Sequence, residues 1–190
     1  MLPLDLALFH AINADAGTAP FVIDLARWVS AQAPYVMVGV LLSLLAAGSA
    51  AQRRAVFIAM ASMASAWVMV QFLRHAIAAP RPAQLGIGHQ WIEHAARAGF
   101  PSLHTAAAFA LAAGLALGGL RTVAVPAGLV AFAMAWSRVS LGVHFPSDVV
   151  AGALAGVITA YSVHGAVALR VRRRAAPWVT PLTANAVKPD

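Results

Sequence analysis

Residues 55–73 read AVFIAMASMASAWVMVQFL, a run without a single charge, preceded by Arg53 and Arg54 and closed by Arg74. A helix on a water-soluble domain keeps a polar face, and this run has none. Its length is close to the roughly 20 apolar residues that cross a bilayer. Four more stretches repeat the pattern at about residues 35–51, 102–118, 122–136 and 149–169. The third and fourth of the five runs are short and rich in alanine and glycine, residues that let helices pack closely in lipid. Whole-chain composition agrees. Of 190 residues, 61% are hydrophobic and 10% charged, with a mean hydropathy of +0.78. Soluble domains carry about a quarter charged residues, so lipid has to cover this surface. The expected fold is all-α: an integral membrane bundle of about five spans, forming one domain over residues 1–174.

Residues 1–34 differ in character. Asp5, His10, Asn13, Asp15, Asp24 and Arg27 are scattered among apolar residues, and ADAGTAP (residues 14–20) breaks the pattern. This predicts two short amphipathic helices lying on the membrane surface, with a sixth span as the alternative. The N-terminus lacks the basic start of a secretory signal and reads as part of the mature chain. Residues 175–190, with Pro177, Pro181 and Pro189, read as a flexible cytoplasmic tail.

A net charge of +7 and a pI near 11.5 could suggest nucleic-acid binding. The arginines instead sit singly or in small groups at the ends of apolar runs, where membrane proteins place them, so no nucleic-acid partner is expected. Arg53, Arg54, Arg121 and Arg170, Arg172, Arg173 and Arg174 fall on one side, which the positive-inside rule assigns to the cytoplasm. Arg74, Arg81, Arg97 and Arg138 fall on the other and call for a different explanation. The chain contains no cysteine, which excludes disulfides and thiolate metal sites.

Three clusters supply that explanation. RHAIAAPRP (residues 74–82) places Arg74 six residues before Arg81-Pro82. Pro101-Ser102-Leu103-His104 opens the third run, and SRVSLGVHFPSD (residues 137–148) joins the fourth run to the fifth. Each lies at a helix end on the same membrane face. Three guanidinium groups imply an anion, and their forks suit a tetrahedral phosphate. Ser102 stands at a helix N-terminus, where backbone N–H groups and the helix dipole favour anions. Two histidines, His104 and His144, offer a nucleophile and an acid, and Asp148 can fix the tautomer of His144.

Together the clusters resemble the signature of the type 2 phosphatidic acid phosphatases, the superfamily that includes the vanadium haloperoxidases: Lys-x6-Arg-Pro, Pro-Ser-Gly-His and Ser-Arg-x5-His-x3-Asp. Arg74 replaces the usual lysine and keeps its charge. Leu103 replaces the usual glycine and keeps a backbone N–H for phosphate; if its side chain crowds the phosphate, glycine there should speed hydrolysis. The resemblance implies that His144 attacks phosphorus to form a phosphohistidine, with Asp148 orienting it. It implies that His104 protonates the leaving oxygen and then activates water. Arg74, Arg81, Ser102, Leu103 and Arg138 would hold the phosphoryl oxygens, without metal or cofactor.

The short chain, the amphipathic N-terminal segment and IEHAARAGFPSLHT (residues 92–105) are similar to bacterial undecaprenyl-diphosphate phosphatases of this superfamily. That implies hydrolysis of undecaprenyl diphosphate to undecaprenyl phosphate and phosphate, in the bacterial inner membrane. The site would face the periplasm or exterior and the C-terminus the cytoplasm. Phosphatidate, phosphatidylglycerol phosphate or lipid A are alternative substrates, and phosphotransfer to another lipid is an alternative reaction.

Other residues carry plainer readings. His89 and Glu93, with His94 beside them, match no zinc signature and read as a solvated loop. Arg97 reads as a surface residue, and His75 as lining the pocket at most. His10 and His164 read as structural. Trp28, Trp91 and Trp178 read as membrane-interface anchors.

Overall fold

The computed structural model describes residues 3–93 and 97–175. Among them there is no strand; six α-helices and one 3-10 turn make up the regular structure. They are α1 (Pro3–Ile12), α2 (Pro20–Ala47), α3 (Ala50–Ile77), the 3-10 turn (Pro82–Leu85), α4 (Leu103–Leu117), α5 (Arg121–Ser140) and α6 (Pro146–Ala175). The helices α2, α3, α5 and α6 are long and apolar enough to cross a membrane, whereas α4 is shorter. The molecule is thus a helical membrane bundle. Its outer faces carry exposed Phe21, Tyr35, Leu42, Phe57, Phe72, Leu129, Phe132 and Tyr161, apolar surface that only lipid covers favourably.

The central element is α4, packed against α3, α5 and α6. Its 15 residues extend about 22 Å, less than the ~30 Å hydrocarbon core. Protein rather than lipid surrounds it: Thr105, Ala106, Ala110, Leu111, Ala112, Gly114 and Leu115 are all buried. Small residues make this packing possible. A Cβ at Gly114 would lie 2.6 Å from Ala59 Cα on α3, and one at Gly156 of α6 would collide with the Ala106 carbonyl of α4. The backbones meet there without intervening side chains, as small-residue interfaces allow.

The N-terminal segment departs from expectation. Only α1 is a separate short helix, and residues 20–34 are continuous with the first long helix. Pro20 starts α2 at its first position, where proline's missing N–H costs nothing, and the helix runs through Pro34 to Ala47. At 28 residues it is about 42 Å long, so it has turns to spare beyond the bilayer core. Asp24 and Arg27, whose polarity argued against a span, lie in those first turns. They pair at 3.4 Å across i,i+3 in an exposed position. The break at residues 14–20 does separate α1 from α2.

The turn between α2 and α3 is capped at both sides. Ser49 and Gln52 form a reciprocal capping box at the start of α3, satisfying two otherwise orphaned N–H groups. Arg53 reaches back to the carbonyls of Gly48 (3.0 Å) and Ala46 (3.1 Å). Arg53 therefore closes the C-terminus of α2, in addition to sitting at a membrane boundary. Successive helices reverse direction. The turns holding Arg53, Arg54 and Arg121 and the end of α6 therefore share one end of the bundle, and the three motif clusters share the other.

Candidate active site

Helix α5 ends at Ser140 and α6 begins at Pro146, so a five-residue turn carries His144 between them. The turn is closed by backbone bonds from the Val143 and His144 amides to the Arg138 carbonyl, each 3.2 Å. Gly142 adopts a φ of +73°, and a side chain there would collide with the His89 carbonyl; only glycine takes this position without strain. The turn directs His144 inward, with no exposed surface. Its Nδ1 lies 3.1 Å from Asp148 Oδ2. The same carboxylate oxygen accepts the Phe145 amide at 2.9 Å, so the cap of α6 and the orientation of His144 are one interaction. With Nδ1 engaged by the carboxylate, Nε2 keeps its lone pair, the arrangement of an activated imidazole.

That Nε2 faces Arg81 Nη1 at 3.2 Å. Arg81 is itself fixed on several sides, donating to Val143 O (2.8 Å) from Nη1 and to Arg97 O (2.9 Å) from Nε. Arg74 donates twice to Pro101 O, at 3.1 and 3.0 Å, which ties the end of α3 to the turn before α4. Arg138 is 2% exposed. Its Nη1 donates to Ser30 Oγ on α2, whereas its Nε and Nη2 are buried without a hydrogen-bond partner. Buried donors of this kind are rare, and here they fit an anion.

Ser102 is fully buried at the N-cap of α4. Its amide is taken by the Asp148 carbonyl (2.9 Å), so the site's second and third motifs are joined through backbone. Its Oγ accepts from Thr105 Oγ1 at 3.1 Å, leaving the Ser102 proton to donate to a ligand. The first bond along α4 runs from the Ala106 amide to Ser102 O. Amides ahead of it, including those of Leu103 and Thr105, point out of the helix N-terminus as an anion site.

A cavity of about 530 Å³ opens here, lined by residues that include Arg74, Arg81, Arg97, Leu103 and His104. His104 also lines a second, apolar cavity of about 160 Å³ between α2, α3, α4 and α5, walled by Pro34, Met37, Leu41, Leu111 and Met134. A polar head in the first space and an apolar chain in the second would share His104 as their common wall.

The structure thus gathers Arg74, Arg81, Ser102, Leu103, His104, Arg138, His144 and Asp148 at one end of the bundle. The Leu103 side chain packs against the cluster of Ala66, Val70, Ala106 and Ala110. Leu103→Gly should therefore slow the enzyme rather than speed it. The substitution removes this packing at the first residue of α4, so a lower melting midpoint and a fall in kcat of about a few-fold are expected from melting curves and phosphate release. Faster hydrolysis would instead mean that the side chain crowds the phosphate.

Outside the site the readings divide. His89 is exposed, and its backbone pairs with the Asn13 amide group in both directions, at 2.9 and 2.8 Å. Glu93 is exposed, and His94 and Trp178 lie outside the described residues. Among the described residues no three His, Asp or Glu side chains gather for a metal. Trp91 is held by protein contacts: its Nε1 donates to Ala14 O at 2.7 Å, and Arg27 lies 5.7 Å from its ring centroid.

Several supporting residues carried no signal in the sequence. Asp5 of α1 accepts from both the amide (2.8 Å) and the hydroxyl (2.7 Å) of Ser147, in the first turn of α6. Asn13 donates to Ser140 O at 3.0 Å, and Phe9 is fully buried against Phe145. Helix α1 and Asn13, the residue that follows it, thereby brace both ends of the turn that carries His144.

Residues 55–172 match the model of the PAP2 superfamily. The chain belongs to this superfamily and is an enzyme of its membrane lipid phosphatase class. A relative from Escherichia coli (strain K12), named "Putative undecaprenyl-diphosphatase YbjG", is 36% identical over 165 residues, covering 82% of this chain and 78% of that protein. The crystal structure of Aquifex aeolicus LpxE is similar with a TM-score of 0.70 and 29% identity, over 85% of this chain and 95% of that one. A transmembrane PAP2-type phosphatidylglycerolphosphate phosphatase from Bacillus subtilis shares the fold, with a TM-score of 0.65 and 18% identity over 87% and 85% of the two chains.

Proposed function

We propose that the chain hydrolyses undecaprenyl diphosphate to undecaprenyl phosphate and phosphate through a phosphohistidine on His144. One observation carries the chemistry: His144 holds Asp148 with one ring nitrogen and turns the other toward Arg81, beside a cavity walled by His104. The lipid assignment draws on the 36% identity to the relative named for that activity.

In this reading the Nε2 lone pair of His144 attacks the terminal phosphorus. The bridging P–O bond breaks, and its electron pair leaves with the lipid phosphate as His104 supplies a proton to that oxygen. Arg81, Arg138, Arg74, Ser102 and the first amides of α4 gather around the equatorial oxygens, where charge stabilisation contributes most. Water, deprotonated by His104, then attacks the phosphohistidine, restoring His144 and releasing phosphate. Asp148 stabilises the imidazolium that each step requires. The site faces the periplasm or exterior, because the opposite end of the bundle carries Arg53, Arg54, Arg121 and the basic end of α6.

The test is phosphate release by the purified chain from undecaprenyl diphosphate, phosphatidate and phosphatidylglycerol phosphate, without an acceptor lipid. The expected result is a preference of at least about tenfold in kcat/KM for the diphosphate, the effect of one additional charge-assisted contact, with EDTA causing no loss. Preference for either monoester would reject the assigned substrate. Release only on adding an acceptor lipid would make the enzyme a phosphotransferase, and EDTA sensitivity would bring a metal into the reaction.

A further inference from the structure

Arg97 belongs to none of the three motifs, yet it lines the same cavity as Arg74, Arg81 and His104. Its backbone is held there: Arg97 O accepts from Arg81 Nε, and Ala98 O lies 3.4 Å from Arg81 Nη2. On its other edge the same guanidinium meets His144 Nε2. Arg97 therefore stands across Arg81 from the nucleophile. Its side chain is exposed at the cavity and close enough to Arg74 for their charges to interact. The described residues lining the cavity include three arginines and two histidines, His75 and His104, and no carboxylate.

That is more positive charge than one phosphate uses. A phosphate monoester carries about −1.5 to −2 at neutral pH, and Arg81, Arg74 and the unpartnered donors of Arg138 already surround the reacting centre. Gathering like charges in a half-enclosed space is unfavourable unless an anion neutralises them. A second phosphate is such an anion, and a diphosphate presents it directly bonded to the first.

We propose that Arg97, with His75 next to Arg74, forms a second anion subsite that holds the phosphate remaining on the lipid when the terminal phosphoryl group moves to His144. This rests on the diphosphate reading above and assigns the residue that separates diphosphates from monoesters. Negative charge gathers on the bridging oxygen as its bond to the terminal phosphorus breaks. A guanidinium beside that phosphate favours departure of the lipid phosphate, and it has nothing to bind when the leaving group is an alcohol.

The experiment measures inhibition, by methylenediphosphonate and by orthophosphate, of hydrolysis of whichever of the three lipids the wild type cleaves, using the full chain, Arg97→Gln and Arg97→Lys. Loss of one charge-assisted contact should weaken methylenediphosphonate about tenfold or more in Arg97→Gln, with orthophosphate changed less than about twofold. Arg97→Lys should recover most of the difference. Equal weakening of both inhibitors, or none of either, would overturn the subsite. Failure of the wild type to cleave undecaprenyl diphosphate would overturn the substrate assignment separately, because the ratio of the two inhibition constants reads the subsite whichever lipid is cleaved.

Discussion

His144→Ala should lower turnover by about four orders of magnitude or more, as loss of a nucleophile does in enzymes with covalent intermediates. The residue is fully buried, held by Asp148 at 3.1 Å and by Arg81 at 3.2 Å. Asp148→Asn keeps the shape but favours the wrong tautomer, and a comparable change in a serine protease triad costs about 10⁴. A labelling experiment makes the role of His144 specific. With p-nitrophenyl phosphate the leaving group needs no acid, whereas the second step still needs a base. His104→Ala should then accumulate an enzyme-bound phosphoryl group that is labile to acid and stable to alkali, and His144→Ala should show none. Retention of even a hundredth of the activity in His144→Ala, or an acid-stable label, would remove this residue from the reaction.

The placement of the candidate site was readable in the sequence because its residues are confined to three short segments with fixed spacing at helix ends. Once five apolar runs put those ends on one face, eight side chains from three places in the chain had to converge, and they do. A phosphate-binding role for Arg138 was implied by the motif resemblance, but the partnerless state of its two donors could not be read from it. Neither could the use of the Ser102 amide by Asp148 O, which removes that amide from the anion site. Leu103 illustrates the same limit. Its departure from the motif was visible, but the cluster that receives its side chain is formed by α3 as well as α4.

The N-terminal third was less legible, for two physical reasons. Hydropathy windows dilute a long helix whose first turns are polar, so Asp24, Arg27 and Pro34 concealed the continuity of α2 from Pro20 to Ala47. The bracing role of α1 depends on pairs such as Asp5 with Ser147, which are 142 residues apart and follow no periodicity. The bond from the Trp91 indole to Ala14 O was equally invisible, because it joins residues 77 positions apart. Arg97 read as a surface residue and is exposed, but its place at the cavity could not be read because it is set by the backbone hydrogen bond to Arg81, not by any motif.

Arg138→Met should reduce turnover by two to three orders of magnitude, roughly the cost of removing one donor to a developing oxyanion, while raising the melting midpoint of the ligand-free protein. Both effects have one cause. A guanidinium that is 2% exposed, with two unpaired donors and with Arg81 and Arg74 adding like charge, is a stability cost that an anion offsets only when bound. Replacing buried charge by an apolar side chain of similar length is commonly neutral or stabilising by about 1–4 kcal/mol. The Ser30 hydroxyl released by the change can bond a carbonyl one turn back, as Ser43 does with Gly39 at 2.9 Å. Vanadate adds the linked measurement. A ligand that binds only the folded state stabilises it by mass action, so vanadate should raise the melting midpoint of the wild type strongly and that of Arg138→Met little. Equal vanadate stabilisation of both proteins, or a variant less stable than the wild type, would show that Arg138 serves the fold rather than the phosphate.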